Sequence, residues 1–587
     1  MDAGKPQRLD VAIIGAGWYG LVTARTYLRL RPATKLLIVD SEDTVGGVWS
    51  KNRLYPGLVA QVSVGFFNYS DTPMSPNNEH SNDPRVTGEM IYDYLQKYAD
   101  DHDLLRRIRL KTFVRNATRL QDGGWRLYFR NCLDIIETDK LIVATGITSI
   151  PNMPTLDEDC NDGSVPTLHA RDLGNALSMI RDKDEIQEIA VVGAAKSACD
   201  AVYSLLNMGK RVKWLIREEG AGPIAILPSN LIGGVHCIAL TSTRLMSYLS
   251  PSILNCQGLL YRAFQKSSLG RWFITRFWEL LGTISYKNAG YDQGDHVKML
   301  EPEFGRQGVF WCHSGLGIIT APNFWPTLHS PALTVLRDRI KSINKGTVHL
   351  QKPDSTPFHS DFMLMCTGWG DHFSMFDAPH KKLIGLPTYQ TCCDALLPID
   401  YEQGTLRDQE IDWISHEAVA DRIVQQKLPL LTATFEIGHK KRLDPHRQRK
   451  WRLYRRVIPV ELAAKGDRSI AILGQIHTAQ TPLVAEIQSF WAVLYLLGEI
   501  EIPSIDVMAK EVALWNAWTR MRYLNQGQVS PYSLYDFLPY IDLLFQDLGL
   551  KSRRKSNPIS EFFSPYSPRD FNGFIDEYLQ LKQEAKQ

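Results

Sequence analysis

A chain of 587 residues, 44% of them apolar and 22% charged, is long enough for two or three domains and has the composition of a soluble globular protein. A net charge of +2 argues against nucleic acid as a partner. Nine scattered cysteines without a Cys-x-x-Cys pair argue against a disulfide framework, a zinc site and a dithiol redox centre, although Cys392 and Cys393 are vicinal.

The chain opens on MDAGKPQRLD, which holds no apolar segment, and closes on QEAKQ, which matches no lipidation or peroxisomal signal. A cytoplasmic location is therefore expected, with peripheral membrane contact as the alternative. Val11–Ile14 is an apolar run the length of one buried strand. Gly15, Gly17 and Gly20 follow, then a helical pattern to Leu30, a second apolar run from Leu36 to Val39, and Asp40. This order of strand, glycine turn, helix, strand and acid predicts a dinucleotide site. Gly15 permits the turn, Gly17 lets backbone approach a pyrophosphate, and Gly20 lets the helix pack on the sheet. The phosphates meet the free N–H groups of the helix N-terminus, and Asp40 is placed to accept from a ribose hydroxyl.

Gly46-Gly47-Val48-Trp49 then resembles the FAD-binding start of the flavin-containing monooxygenase superfamily. The resemblance implies that FAD is the first dinucleotide and that Gly47, Val48 and Trp49 run along it. Tyr55-Pro56-Gly57-Leu58 and the segment to Met74 are similar to the family stretch that passes under the flavin. There the family has an Asn beside the flavin's reactive carbon, and the matching position is Gln61. Gln61 is thus the candidate catalytic residue, with a polar loop residue as the alternative. Residues 86–103 have helical spacing and Arg109–Leu120 is strand-like about Val114, near which the family contacts adenine through backbone. Trp125–Phe129 alternates as a strand. Lys140–Val143 is a buried strand ending in Ala144-Thr145-Gly146, which resembles the crossing between domains in two-dinucleotide flavoproteins.

His169 stands where the family signature FxGxxxHxxx[YF] places its histidine, but Gly163, Val165 and Leu173 occupy the other positions. The segment departs from the N-oxygenating pattern and from its Baeyer–Villiger relative. A structural role between domains and a direct role both stand for His169. Ile189–Val192, Gly193, Ala195, Lys196, Ser197 and the strand Val212–Ile216 then repeat the first pattern with alanines in place of two glycines. They resemble the family's NADPH motif. Arg217 stands where an acid would select NAD, and its fork suits a 2′-phosphate; Lys196 could assist, while Glu218 and Glu219 oppose.

Residues 220–328 are apolar and rich in aromatics. Ala221–Thr243 and Leu245–Tyr261 carry no formal charge but are interrupted by Pro, Gly, Ser and Asn, so they read as a pocket wall or a patch resting on a membrane rather than as spans. Asp361–Trp369 is a second buried strand ending in Thr-Gly and resembles the crossing back to the FAD domain. The basic run from Lys440 to Arg456 reads as a solvated face, with NADPH steering or contact with anionic lipid as alternatives. A strand over 468–474 leads to a helix with Pro482 in its first turn, and in the family this helix end approaches the flavin ring. The tail beyond Ile502 reads as helical and polar, with a capping or packing role.

The expected fold is α/β, with two Rossmann-like dinucleotide-binding domains, the NADPH domain inserted into the FAD domain, and a helical C-terminal extension. The expected boundaries are 1–175 and 346–500 for the FAD domain, 176–345 for the NADPH domain with its apolar insertion, and 501–587 for the extension. The resemblance implies an FAD-dependent monooxygenase that uses NADPH and O2 to put one oxygen atom into a small organic substrate, and the departure around His169 with the large apolar insertion points to a specialised setting such as natural-product tailoring. A Baeyer–Villiger enzyme, an NADPH-dependent flavin reductase or dehydrogenase, and an FAD-retaining protein without catalysis are the alternatives. No metal, nucleic acid or protein partner is expected.

Overall fold

The computed structural model describes residues 6–75, 85–130, 133–154, 160–387, 411–432, 448–585 and 587. Two sheets organise it, the first mixed and the second wholly parallel. In the first, the strand Gln7–Ile14 lies between Leu36–Val39 and Ile135–Val143, parallel to both, with Ile13 opposite Ile38 and Ile142. Ile108–Arg109 extends one edge, while Trp125–Phe129 and Val114–Arg119 form an antiparallel meander on the other. Val11, Ala12 and Ile13 are wholly buried, as a parallel strand covered on both faces requires. The strand Ile470–Ile472 also pairs with Ile135–Val143 in parallel, so the chain returns to its first sheet more than 300 residues later. The inserted second domain follows from that pairing.

The second sheet has five strands in the order Leu333–Leu336, Arg211–Leu215, Glu188–Val192, Phe362–Met365, Thr167–His169, all parallel. Thr167–His169 and Phe362–Met365 fall outside the 176–345 expected for this domain. Both lie beside the crossings, where sequence continuity points to one sheet and strand pairing to the other.

The helix Trp18–Leu30 packs against Thr481–Leu496, whose residues from Pro482 to Leu496 are all buried. Thr23 donates to Ser489 across the contact at 2.7 Å. A helix buried on every side belongs inside a core, and this one brings its N-terminus to the first sheet.

The tail departs from expectation. Its helices Ile505–Val529 and Phe537–Leu548 are as predicted, but they bury Trp515, Trp518, Tyr523, Tyr540 and Phe545. Polar residues between these apolar positions mask the pattern in the sequence. The tail closes on the apolar insertion: Trp518 Nε1 donates to the carbonyl of Pro251 at 2.8 Å, and Arg244 pairs with Asp542 and Glu561. Insertion and tail thus form one helical lobe.

The basic run also differs where it is described. Lys450 pairs with Glu417, Arg455 with Asp547 and Glu511, and buried Arg456 lies over Trp451 and Trp515. These cations are structural rather than a solvated face. Lys440, Lys441, Arg442 and Arg447, like Cys392 and Cys393, lie outside the described residues. Among the described residues, no helix is long and apolar enough to cross a membrane.

Candidate active site

The first glycine turn is shaped by close backbone contacts. Gly15 has φ +112°, and a Cβ there would lie 2.3 Å from the carbonyl oxygen of Ala144. A Cβ on Gly20 would lie 1.8 Å from the oxygen of Gly15. Gly17 differs: its nearest neighbour would be the Cα of Gly47 at 3.6 Å, so space is open above it. The helix beginning at Trp18 has no side-chain cap, which leaves its first N–H groups to a ligand. This turn can cradle a pyrophosphate, and that is the fit expected of FAD.

Asp40 is buried, and its two oxygens accept from Ala16 N at 2.6 Å and Glu42 N at 2.8 Å. Burial pushes its carboxyl up, against the pull of those two amides. Asp40 therefore clamps the glycine turn as well as lining the cavity beside it.

The second unit repeats this geometry. In the first, Gly15 N donates to Val39 and Ala144 N to Ile14; in the second, Gly193 N donates to Leu215 and Cys366 N to Val192. A Cβ on Gly193 would lie 2.1 Å from the oxygen of Cys366. Each glycine turn thus passes under its own Thr-Gly crossing, Thr145-Gly146 or Thr367-Gly368.

A cavity of about 620 Å³ joins the two units. Gly15, Gly17, Asp40 and Val114 line one end. Gly47, Val48, Trp49, Ala144, Thr145 and Gly146 line its course, as does Gln61. Lys196 and Ser197 enter from the second motif, and Ile238, Leu316, Ile318 and Leu534 supply an apolar wall from the helical lobe. Gly20, Gly193, Ala195 and Arg217 do not line it. The two glycines serve packing, and Ala195 precedes the uncapped helix Lys196–Asn207.

Gln61 sits on the strand Val59–Ser63, and its Oε1 accepts from Ile318 N at 2.7 Å. That backbone donor fixes which side of the amide is oxygen and leaves the NH2 as a free donor among the described residues. Lys196 is held by Asp200 at 2.5 Å, and the Tyr55 hydroxyl donates to the other oxygen of Asp200 at 3.1 Å. Arg217 is exposed and has no ion pair among the described residues. Glu218 and Glu219 pair instead with Lys352 and Arg339. His169 uses both ring nitrogens: Nδ1 accepts from Arg171 N at 3.0 Å, so Nε2 donates to the carbonyl of Gly368 at 3.0 Å. Its geometry is that of a structural link to the second crossing.

Sequence reasoning missed several lining groups. Glu42 binds Arg171 at 2.7 Å and Asn52 at 3.0 Å, and Arg53 donates to Thr148 O while lying over Trp369. Burial lowers the Arg53 guanidinium to about 10. His477 is solvent-accessible, lines the cavity, and stacks its ring on Tyr532 at 4.9 Å. Enclosure lowers its imidazole to about 4, so it is neutral at physiological pH. The Tyr532 hydroxyl accepts from Leu316 N at 3.0 Å, on the strand that also binds Gln61. None of these has a motif spacing; nearness to the GGxW segment and to the last strand–helix junction is the only signal.

Two sheets with the same glycine turn in each and one shared cavity define a flavoprotein with two dinucleotide-binding domains. A family model described as pyridine nucleotide-disulphide oxidoreductase matches residues 12–232. The chain is 38% identical to FAD-dependent monooxygenase DEP4 of Alternaria brassicicola, over 98% of this chain and 96% of that one. It is 35% identical to FAD-dependent monooxygenase resA of Aspergillus sclerotiorum, over 98% and 99%. The chain belongs to the FAD-dependent monooxygenases. In fold it is similar to the cyclohexanone monooxygenase of Rhodococcus sp. Phi1, with a TM-score of 0.57 at 12% identity, covering 93% of this chain and 98% of that one.

Proposed function

We propose that NADPH is the reductant of this FAD-dependent monooxygenase and that its substrate is a small organic molecule held against the wall formed by Ile238, Leu316, Ile318 and Leu534. The observation that carries this reading is the single cavity lined by both glycine motifs, with Gln61 between them. The NADPH-binding unit is taken to include the strands Thr167–His169 and Phe362–Met365, with its helical insertion and the C-terminal tail forming the separate lobe. The solved relative in fold from Rhodococcus is described as bound to NADP+, which agrees with this choice.

Gly15, Gly17 and the first N–H groups after Gly17 bind the FAD pyrophosphate, and Val114 and Asp40 lie at its nucleoside end. Trp49, Thr145, Gly146 and Gln61 flank the rest. The first turn after Ala195 takes the NADPH pyrophosphate, and exposed Arg217 takes its 2′-phosphate. When bound, FAD supplies the redox and oxygen-activating chemistry. In balance, the hydride of NADPH and one proton carry one oxygen atom of O2 to water while the other enters the substrate.

The chain's own residues orient and shield. Gln61, locked through its oxygen on Ile318, aims an NH2 donor into the cavity. Neutral His477 can hold a substrate hydroxyl through either ring nitrogen. The apolar wall excludes water, which favours transfer over wasteful release. The departure around His169 and the size of the apolar insertion favour one specialised natural-product substrate over broad detoxification, and several unrelated good substrates would count against that.

The test is turnover under 18O2 with NADPH or NADH, preceded by anaerobic mixing while flavin absorbance is followed. Bleaching by NADPH in preference to NADH, with one labelled atom in the product, supports the reading. Bleaching with hydrogen peroxide as the sole oxygen product across candidate substrates supports a reductase. Absence of bleaching supports a non-catalytic flavin protein. A labelled ester or lactone from a ketone assigns the Baeyer–Villiger branch.

A further inference from the structure

The helical lobe is apolar on its outer surface as well as inside. The helix Ser268–Ala289 buries Ile274, Trp278 and Leu281 on one side. On the other, Leu269 is 76% exposed, Trp272 56% and Phe273 47%. Positions 269, 272, 273 and 280 recur at helical spacing, so they share a face. Two neighbouring segments extend it: Leu259 is 82% exposed on Gly258–Tyr261, and Ile559 and Phe563 are 74% and 60% exposed on Pro558–Phe563. Ring contacts make the surface continuous, from Phe273 to Phe264 at 6.3 Å, on to Phe562 at 6.5 Å, and to Phe563 at 5.0 Å. None of these residues lines the cofactor cavity.

The charges among these residues have one dominant sign. Residues 258–280 carry Arg262, Lys266, Arg271 and Arg276 against Glu279 alone, a net +3 where the whole chain has +2. Lys266 and Arg271 donate to backbone carbonyls and pair with no acid among the described residues, and Arg276 pairs with Glu279 at 2.6 Å. Exposed Lys551 and Arg553 lead into the segment that ends in Phe563.

We propose that this face docks the enzyme on an anionic lipid bilayer. Leu269, Trp272, Phe273 and Phe563 enter the headgroup boundary, and Arg262 and Lys266 meet lipid phosphates. Aromatic and aliphatic side chains interleaved with cations on exposed short helices suit an interface that is apolar below and negative above. A second copy of the chain fits worse, because it would set +3 against +3. The core of a protein–protein interface is depleted of charge, whereas here exposed Arg262 and Lys266 stand between Leu259 and Leu269.

Flotation of the FAD-loaded full chain with vesicles tests the proposal. The protein is expected to float with phosphatidylcholine vesicles holding about 30% phosphatidylserine, to float far less with phosphatidylcholine alone, and to be released as salt rises from about 50 to about 500 mM. Replacing Trp272, Phe273 and Phe563 together by Ser should cut the bound fraction at least about tenfold while FAD content and NADPH consumption stay as in the unmodified enzyme. A measurement on the unmodified chain guards against misfolding of that variant: brominated lipid should quench tryptophan fluorescence through Trp272. Failure to float with either vesicle, an unaltered bound fraction in the triple variant, or a dimer that the triple variant dissolves would each overturn the proposal.

Discussion

The side-chain oxygen of Gln61 accepts the backbone N–H of Ile318 at 2.7 Å, joining a strand of the FAD domain to a strand of the helical lobe. The contact does two things. It ties two walls of the cavity together, and it leaves the amide NH2 without a partner among the described residues. Gln61→Glu keeps the acceptor for Ile318 and removes the donor. That variant should retain FAD, still oxidise NADPH, and form about ten- to a hundredfold less product per NADPH, with hydrogen peroxide making up the difference. Coupling equal to that of the unmodified enzyme would show that the donor has no part in the reaction.

Gly17 and Gly20 separate ligand space from packing space. A Cβ on Gly17 meets nothing nearer than 3.6 Å, so Gly17→Ala should leave the apo-protein within about 0.5 kcal/mol of its original stability. At the pyrophosphate site proposed for FAD the same methyl would intrude on the ligand, and FAD affinity should fall at least about tenfold. A Cβ on Gly20 would sit 1.8 Å from the oxygen of Gly15, so Gly20→Ala should cost roughly 3 kcal/mol or more before any cofactor is added. Denaturant midpoints of the apo-proteins and flavin titrations distinguish the two effects.

Arg217 is exposed beside two acids that are themselves neutralised by Lys352 and Arg339. Its guanidinium is thus available for a 2′-phosphate despite Glu218 and Glu219. Arg217→Ala should raise the KM for NADPH by about ten- to a hundredfold and leave that for NADH nearly unchanged. Equal effects on both nucleotides would move the 2′-phosphate contact elsewhere.

These three sites show what was legible in the chain. The glycine turns could be read because each glycine answers a local demand: Gly15 and Gly193 pass under backbone carbonyls at distances no side chain tolerates. Strands such as Leu36–Val39 could be read because burial on both faces leaves a continuous apolar run. What escaped depends on distant pairing. Arg455 and Arg456 look solvated in sequence and are buried because Asp547, Glu511, Trp451 and Trp515 arrive from other elements. The domain limits escaped for the same reason, since strands Thr167–His169 and Phe362–Met365 are claimed by a sheet whose centre lies elsewhere in the chain. His477 is a single residue in a strand–helix junction, and only the stacked Tyr532 and the cavity around it give it meaning.

Arg522 pins the tail to the insertion. Its guanidinium is wholly buried among Phe310 at 4.2 Å, Tyr523 at 4.7 Å, and Trp278 and Tyr535 at 5.5 Å. It donates to the carbonyl of Phe310 and to the Ser250 hydroxyl. Arg522→Ala leaves a cavity and unpaired acceptors and should cost about 3–5 kcal/mol; Arg522→Met, which fills the space without charge, should cost clearly less. Tyr535 lines the cofactor cavity, so the alanine variant should also raise the KM for substrate. Equal stabilities for the two variants would remove packing from this account.

Glu486 gives the fold a pH dependence with a definite sign. It is buried in the helix Thr481–Leu496, and its two oxygens accept from the Ser70 amide at 2.7 Å and the Ser70 hydroxyl at 2.9 Å. Burial pushes its carboxyl up to about 7 from the usual 4.5. Below the unfolded value both states hold the proton, and the group costs nothing. Between the two values the unfolded chain releases its proton while the folded chain keeps it, so the contribution to stability falls as pH rises, and above the folded value the loss is complete. Glu486→Gln accepts the Ser70 amide through its oxygen, donates to the Ser70 hydroxyl, and has no proton to lose. The variant should match the original at pH 4.5, gain on it as pH rises, and level off near pH 7 at no more than roughly 3 kcal/mol. Urea midpoints of both proteins across that range decide the matter, because a difference that stays constant with pH would mean the buried carboxyl is ionised throughout.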